Sequence, residues 1–454
     1  MHPSSKENMQ KALSRYVGAA FFADRPRRVV EVGSSSVNGS YRPLFADYGV
    51  DYLGLDLQAG SGVDQVLDEA YAYPVATGSA DLVISGQMLE HCEYPWLAFQ
   101  EMARILSPDG YLILIAPSAG PIHRYPVDCY RFYPDAYRAL ARLAGCVVVA
   151  LWHDERGPWR DLVGVFSKNP AKENSPMLMP PALEAPPPFK PAHPMSSDSE
   201  RVAGAAPYLD VLTTVHATLA PRSYLEIGIR RGDSLGLARR PAIAIDPCPH
   251  PEFQPGADVR LFRMSSDDFF ELEADRALTD PVDLAFIDGM HLFEYALRDF
   301  IKIERRCSPT SVIVIDDVFP NSIEQAQRER CTRCWTGDVW KLLQCLRNYR
   351  PDLVLVPIDT DPTGLLLVLG LSPRNRQLVD QYNPIVAKFN KEAGASPPAA
   401  IIDRVGAIHP EDPAIAGMLD DLRRLREGGS GTDQTSSVRR SLRRYVREQG
   451  PRTR

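Results

Sequence analysis

Val29–Ser40, VVEVGSSSVNGS, and Ser223–Ser234, SYLEIGIRRGDS, decide how this chain folds. Each is an apolar run carrying a glutamate, Glu31 or Glu226, then a glycine, Gly33 or Gly228, with a second glycine, Gly39 or Gly232, further along the turn. That is a buried strand feeding a loop whose backbone can turn sharply and approach a ligand, because glycine has no Cβ. A second apolar run follows each loop and ends on a carboxylate: DYLGLDL on Asp56, 25 residues after Glu31, and AIAIDP on Asp246, 20 residues after Glu226. A carboxylate there can accept hydrogen bonds from both hydroxyls of a ribose. Neither loop reads G-x-G-x-x-G, which disfavours a nucleotide-dependent oxidoreductase, since a pyrophosphate needs that third glycine.

Outward from these runs, short apolar stretches alternate with longer amphipathic ones, the pattern of βαβ units and a parallel sheet. In the first half the expected strands are Arg28–Val32, Tyr52–Leu55, Leu82–Ser85, Tyr111–Ala116 and Val147–Leu151. In the second they are Ser223–Ile227, Ala242–Ile245, Leu284–Ile287 and Val312–Ile315, with a closing hairpin-like pair at Leu353–Ile358 and Gly364–Leu371. Between Asn169 and Glu200 nine prolines and little apolar periodicity predict an extended spacer. The chain of 454 residues therefore reads as a first domain at 1–168, a linker at 169–200, a second domain at 201–373 and an extension at 374–454 that decays to a basic, partly disordered tail. The tail, SVRRSLRRYVREQGPRTR, is a basic helix or a disordered arm, solvated or in weak contact with an anionic membrane surface.

With 44% hydrophobic and 24% charged residues, most of the chain is able to fold around a core. A net charge of −7 excludes nucleic acid as the main partner. No apolar stretch approaches the roughly 20 residues that cross a bilayer. Eight scattered cysteines and a start without an apolar signal core fit a reducing cytoplasm. Cys331 and Cys334 form a lone C-x-x-C that lacks the second pair of a zinc site, and read as structural. An oligomer is compatible with the sequence.

Both halves resemble class I S-adenosylmethionine-dependent methyltransferases across nearly their full length. The resemblance implies an α/β fold: two Rossmann-like domains, each a mostly parallel seven-stranded sheet with helices on both faces. It also implies that Gly33 and Gly39, or Gly228 and Gly232, let the loop hold the methionine part of the cofactor, while Asp56 or Asp246 takes the ribose. For the adenine the first half offers Asp68, in VDQVLDEAYAYP, and the second offers Ser266 and Asp267, in RMSSDDFF.

The second half carries the most specific chemistry. VDLAFIDGMH and SVIVIDDVFP are very apolar strands that both end in carboxylates, at the edge where parallel sheets present ligands. Asp288, Asp316 and Asp317 are expected to converge as hard oxygen donors suited to Mg²⁺ or Mn²⁺. His291, three residues after Asp288, is the expected base. This half resembles the metal-dependent (type 24-like) O-methyltransferases, especially bacterial sugar O-methyltransferases. That group has an aspartate, a base three residues later and an acidic pair after the next strand; WTGDVWK, Trp335–Lys341, resembles its segment closing the acceptor side. No two-histidine-plus-carboxylate set for iron is visible there; Asp299 and His216 read as structural.

The first half, with ADLVISGQMLEH and EMARILSPDGYLILIAP, resembles the small-molecule (type 11-like) methyltransferases and shows no obvious metal site. Its loop, SSSVNG, departs from the usual glycine-rich pattern. IHRYPVDCYRFYPDAY supplies His123, Asp128, Tyr130 and Arg131 to cover an acceptor, with His123 or His91 as a base or as structural residues. The implied activity is methylation of a sugar hydroxyl on a bacterial glycan, glycolipid or glycosylated metabolite by two tandem enzymes. The competing expectation makes the first domain a non-catalytic binding or scaffold module.

Overall fold

A computed structural model describes residues 2–175, 198–250, 252–391, 396–428 and 434–448, so residues 176–197 of the expected proline-rich spacer and 449–454 of the tail lie outside the described residues. The chain divides into two compact units, residues 1–181 with 379–387, and residues 182–378 with 388–454.

In the first unit seven strands form one sheet: β1 (Arg28–Val32), β2 (Asp51–Asp56), β3 (Gln65–Val66), β4 (Ala80–Gly86), β5 (Leu106–Pro117), β6 (Val147–His153) and β7 (Asp161–Ser167), in the order β3-β2-β1-β4-β5-β7-β6. β1 lies between β2 and β4, parallel to both, and β7 runs antiparallel between β5 and β6. Strand side chains alternate between faces. Val29, Leu82 and Ile113 therefore pack with Met9 and Ala12 of α1 (Pro3–Ala12) and with Phe22 of α2 (Ala20–Ala23). Val30, Val83 and Leu112 pack instead with Phe99 of α3 (Pro95–Ile105) and Leu140 of α4 (Pro134–Leu143). The sequence pattern marks five of these strands and omits the two-residue β3 and the fully buried β7.

The second unit repeats the plan. Its sheet comprises β9 (Tyr224–Ile227), β10 (Ala242–Ile245), β11 (Val259–Phe262), β12 (Val282–Ile287), β13 (Cys307–Ile315), β14 (Val354–Ile358) and β16 (Leu365–Leu369), in the order β11-β10-β9-β12-β13-β16-β14. β14 and β16 form the expected antiparallel pair. A separate two-stranded pairing joins β8 (Ala206–Pro207) to β15 (Thr360–Asp361). Around the sheet lie α5 (Tyr208–Leu219), α6 (Ser266–Leu272), α7 (Ala274–Ala277), α8 (Phe293–Glu304) and α9 (Trp340–Tyr349). α10 (Gln377–Asp380), α11 (Tyr382–Lys391), α12 (Ala399–Ile402), α13 (Pro413–Glu427) and α14 (Gln434–Glu448) follow.

The C-terminal extension differs from the decaying tail expected of it. Ile415, Met418, Leu419 and Leu422 of α13 stand at i, i+3, i+4 and i+7, the spacing of one helix face, and they are buried in one cluster with Val438 and Leu442 of α14 and with Leu284, Phe286, Val312 and Val314 of the sheet. Of the basic helix and the disordered arm expected for the arginine-rich terminal segment, residues 434–448 form the helix, with Val438 and Leu442 covered.

Within β9, Glu226 is fully buried and accepts hydrogen bonds from Tyr224 Oη at 2.7 Å and Ser234 Oγ at 2.5 Å, which ties the loop after β9 back to the strand. Burial pushes its carboxyl up to about 7, against the opposing pull of the two hydroxyls. Glu31 is the counterpart in β1: it accepts from Tyr52 Oη at 2.5 Å and is likewise pushed up to about 7 by burial.

Two outcomes are expected. Leu419→Ala, which opens a hole where α13 meets the sheet, should lower unfolding stability by about 2–5 kcal/mol; a loss within error in a denaturant titration would place α13 outside the core. Glu226→Gln removes a carboxyl whose folded pKa exceeds its unfolded value, so the native state holds a proton that the unfolded chain releases, and wild-type stability falls as pH rises through that window. The variant should therefore match wild type near about pH 4 and gain on it up to about pH 7, by about 1–3 kcal/mol. Melting curves whose difference stays flat with pH would refute this.

Candidate functional site

In the second unit the site is assembled at the carboxyl ends of β9, β10, β12 and β13. Gly228 has φ 81°, and a Cβ built on it would lie 1.9 Å from the carbonyl oxygen of Asp288. Only a glycine allows the loop after β9 to touch the end of β12 in this way. Asp246, at the end of β10, accepts from the amides of Ile229 at 3.0 Å and Arg230 at 3.1 Å through one oxygen, and from Cys248 N at 2.7 Å through the other. With roughly four lone-pair positions on a carboxylate, this grip on the loop leaves room for one further donor. Gly232, φ 82°, sits where a Cβ would strike the ring of Phe253 at 2.3 Å.

Beyond β12 and β13, Asp288, His291 and Asp317 bring one ligand atom each within 4.8 Å of one another. His291 Nδ1 lies 2.9 Å from Asp317 Oδ2 and 2.6 Å from the Trp335 carbonyl, and Nε2 lies 3.6 Å from Asp288 Oδ1. The imidazole stacks flat on Trp335, with centroids 5.1 Å apart and planes 5° from parallel. Asp317 occupies left-handed backbone, φ 63°, a costly conformation that aspartate tolerates better than most residues. The expected trio of carboxylates is changed in one member. Asp316 Oδ1 accepts from the Asp317 amide at 2.8 Å and lies 3.5 Å from Thr363 Oγ1, and it falls outside the compact group that His291 joins. Asp316 therefore braces the turn on which Asp317 sits.

Crowded acids dominate the electrostatics here. Burial and then the neighbouring Asp316 and Asp317 push the Asp288 carboxyl well above the usual range, and burial followed by Asp317 pushes Asp316 up to about 8. Burial alone would depress His291, but the adjoining Asp317 overcomes it and drives the imidazole up to about 10. Excess negative charge at short range is what a bound cation would relieve.

The segment Trp335–Lys341 is pinned against this group. Asp338 Oδ1 accepts from Phe293 N at 2.8 Å, Asp338 N donates to the His291 carbonyl at 3.2 Å, and a Cβ on Gly337 would collide with that carbonyl at 1.6 Å. Trp335 opens the segment singled out in the sequence, whereas Thr363 is a neighbour of Asp316 that sequence spacing does not announce.

The expected adenine pair is drawn elsewhere in part. Ser266 opens α6, but the Asp267 carboxylate is held by Arg298, Nη2 at 2.7 Å, and by Lys302 of α8; despite its burial these two cations hold it well below the usual range. Asp299, read as structural, is buried with Oδ1 unpartnered and Oδ2 3.7 Å from where a Cβ on Gly289 would stand, directly behind Asp288. His216 is buried on α5 against Tyr224, pushed down to about 4 by burial, and is a core residue as expected.

The first unit builds the corresponding edge with other side chains. Gly33 has φ 80°, and its missing Cβ leaves space for Met88, whose Cβ would otherwise stand 2.6 Å away. Gly39, φ 121°, lies further along the loop. Asp56 accepts from Ser35 N at 3.0 Å and Gln58 N at 3.3 Å, one bond per oxygen, which leaves room for two more. Asp68 is exposed just beyond β3. The segment after β2 folds back over the loop, with Ser36 N donating to the Ser61 carbonyl at 2.8 Å.

His91 and His123, expected as alternative bases, are brought together with ring centroids 4.8 Å apart. They join Glu90, and one ligand atom from each of the three lies within 4.8 Å of the others. Glu90 sits in the short turn Leu89–His91 after β4, and burial pushes its carboxyl up to about 8. Cys331 and Cys334 are unbonded thiols.

Two family models match the chain, both described as a methyltransferase domain: type 11 over residues 30–114 and type 24 over residues 225–318. An uncharacterised methyltransferase from Mycobacterium sp. (strain JLS) is 31% identical over 97 residues, 19% of this chain and 38% of that protein. One from Mycobacterium leprae (strain TN) is 31% identical over 99 residues, 19% of this chain and 36% of its own. The chain thus spans well under half the length of these curated relatives. A solved S-adenosylmethionine-dependent methyltransferase from Archaeoglobus fulgidus aligns with a TM-score of 0.28 and 16% identity, over 36% of this chain and 94% of that one. The Burkholderia thailandensis 1,6-didemethyltoxoflavin-N1-methyltransferase, solved with S-adenosylhomocysteine, aligns with a TM-score of 0.27 and 14% identity, over 37% and 88%. With both sheets in the same strand order and each family match covering the glycine loop of its own unit, the chain carries two methyltransferase domains in tandem, type 11 in its first half and type 24 in its second.

Proposed function

We propose that the protein is a bifunctional S-adenosylmethionine-dependent methyltransferase whose second domain methylates a sugar hydroxyl of a glycan, glycolipid or glycosylated metabolite with the aid of Mg²⁺ or Mn²⁺. The observation that carries this reading is the group Asp288, His291 and Asp317 beside Gly228.

The residues present fit both absent groups. The Gly228 loop and the remaining acceptor capacity of Asp246 suit the methionine and ribose parts of the cofactor, with Ser266 toward the base, and the crowded acids suit a hard divalent cation. S-adenosylmethionine supplies the electrophilic methyl group. A divalent cation held by Asp288 and Asp317 supplies positive charge that lowers the pKa of an acceptor hydroxyl and orients it. His291 receives the hydroxyl proton at Nε2, while its Nδ1–H, held between the Trp335 carbonyl and Asp317, fixes the tautomer and the ring plane. Asp316 holds the Asp317 amide in its left-handed turn. Trp335 walls the acceptor side and keeps the imidazole from rotating.

In the first domain Gly33, Gly39 and Asp56 correspond to Gly228, Gly232 and Asp246. A second reading, in which this domain binds or scaffolds without catalysis, is favoured by one observation: the segment after β2 caps the loop through the bond from Ser36 N to Ser61 O.

Wild type is expected to bind two cofactor equivalents in a calorimetric titration. Gly228→Ala should remove one, because its Cβ must displace the Asp288 backbone, and Gly33→Ala, whose Cβ would stand 2.6 Å from Met88 Cβ and Cγ on positive-φ backbone, should weaken the other. A wild-type stoichiometry of one that Gly228→Ala abolishes would select the scaffold reading. Asp317→Ala and a chelator should each reduce methylation of glycan acceptors, read by mass gain, by about 100-fold or more. Insensitivity to both would remove the metal from the mechanism.

A further inference from the structure

The two sheets have the same strand order, so β4 and β12 are equivalent: each lies between the strand that feeds the glycine loop and the next parallel strand. In the second domain the end of that strand carries Asp288. In the first it leads into Glu90 and His91, and what surrounds them is not a hydroxylic acceptor pocket alone.

Glu90 has a fully buried side chain, and neither carboxylate oxygen has a hydrogen-bond partner. A buried polar group of that kind costs several kcal/mol, of order 1–3 even for a neutral one, and such groups persist where a ligand completes them. His91 presents the arrangement that a metal-binding imidazole takes: Nδ1 lies 2.6 Å from the Val127 carbonyl, so it holds the proton, and Nε2 points back to within 3.7 Å of Glu90 Oε1. His123 stands edge-on to His91, and its Nδ1 lies 3.4 Å from Asp128 Oδ2. Arg131 also reaches that Nδ1, at 3.4 Å, but its guanidinium is forked on Asp128 at 2.6 and 2.8 Å. Glu90 and His91 are neighbours in the chain, and the segment carrying His123 is tied to them by backbone: Cys129 N and Tyr130 N both donate to the Glu90 carbonyl, at 2.8 and 3.2 Å.

We propose that Glu90, His91 and His123 form a second metal site, for a divalent transition ion of the zinc or iron(II) class, at the acceptor side of the first domain. Two imidazoles and one carboxylate favour that class over Mg²⁺, which prefers all-oxygen shells. Met88, two residues before Glu90, abuts Gly33, so an ion held here stands next to the first domain's glycine loop. His91 and His123 are then ligands, not alternative bases. The ligand assignment stands on the geometry alone; only its placement beside a methyl donor rests on the first domain being a methyltransferase.

The test uses the full chain carrying Asp288→Ala and Asp317→Ala, which removes the donors of the second domain, titrated with Co²⁺ and followed by visible ligand-field absorption and by bound metal per chain. One equivalent is expected to bind. Adding His91→Ala, His123→Ala or Glu90→Gln should each weaken uptake by about 10-fold or more, while Glu90→Gln leaves the metal-free melting temperature at or above that of its parent. Absence of uptake in the folded Asp288→Ala/Asp317→Ala protein, or uptake indifferent to all three added substitutions, would overturn the site. Wild type taking up a further equivalent over this background reports the second-domain site separately, so the failure of either assignment is visible on its own.

Discussion

The close approach of a backbone carbonyl to an absent side chain fixes the second domain's geometry. Gly228 stands so near Asp288 that the addition of a single carbon would force the end of β12 away from the loop after β9. Because interiors are packed too tightly to absorb such a shift, the glycine loop and Asp288 are held as one rigid piece. The remaining site features then extend outward from this contact. Asp246 grips the same loop from the β10 side, Glu226 and Ser234 tie its far end to the strand, and His291 follows Asp288 by one turn of chain.

Electrostatics complete what sterics begin. Asp288, Asp316 and Asp317 follow the apolar, buried ends of adjacent strands, Leu284–Ile287 and Val312–Ile315, so their charges have little water to screen them. Among the described residues His291 is the side chain placed between two of them, at Asp317 and at Asp288. The imidazole is thereby held as counter-charge to the acids, and it would be free to accept a proton only where a cation on the carboxylates took over that charge, with Trp335 fixing its ring plane in both cases.

Much of this was legible before any coordinates. Apolar runs ending in Glu-x-Gly and Asp mark β1, β2, β9 and β10, because a buried parallel strand must be apolar along its length and its ligand edge must not be. The extension at 374–454 was not legible as core, although Ile415, Met418, Leu419 and Leu422 carry a helical stripe; the charged residues between them mask it, and α14 shows only Val438 and Leu442 four apart. The apolar run of β7, at Asp161–Ser167, is interrupted by Gly164, which hides it although Gly157 and Pro158 mark the turn before it. In the site, adjacent Asp316 and Asp317 look interchangeable in sequence, but a left-handed turn sends one to Thr363 and the other to His291. Glu90 and His123 are 33 residues apart. Only the bonds from Cys129 and Tyr130 to the Glu90 carbonyl reveal that they meet.

The duplication gives the last step. Both domains place ligand-forming side chains at the end of the strand beside the glycine loop, where the sheet presents its carboxyl edge. The donors differ in softness: carboxylates with one imidazole in the second domain, two imidazoles with one carboxylate in the first. Affinity for divalent ions follows donor type, so two such donor sets would favour different metals while sharing a fold. Their surroundings differ as well. His291 is backed by a flat indole, whereas Glu90 is fully buried and the more exposed His123 lies against Trp159, with centroids 4.3 Å apart. One strand order thus carries two different sets of donor side chains at equivalent positions, because the sheet fixes where the side chains stand and the segments beyond it fix which side chains those are.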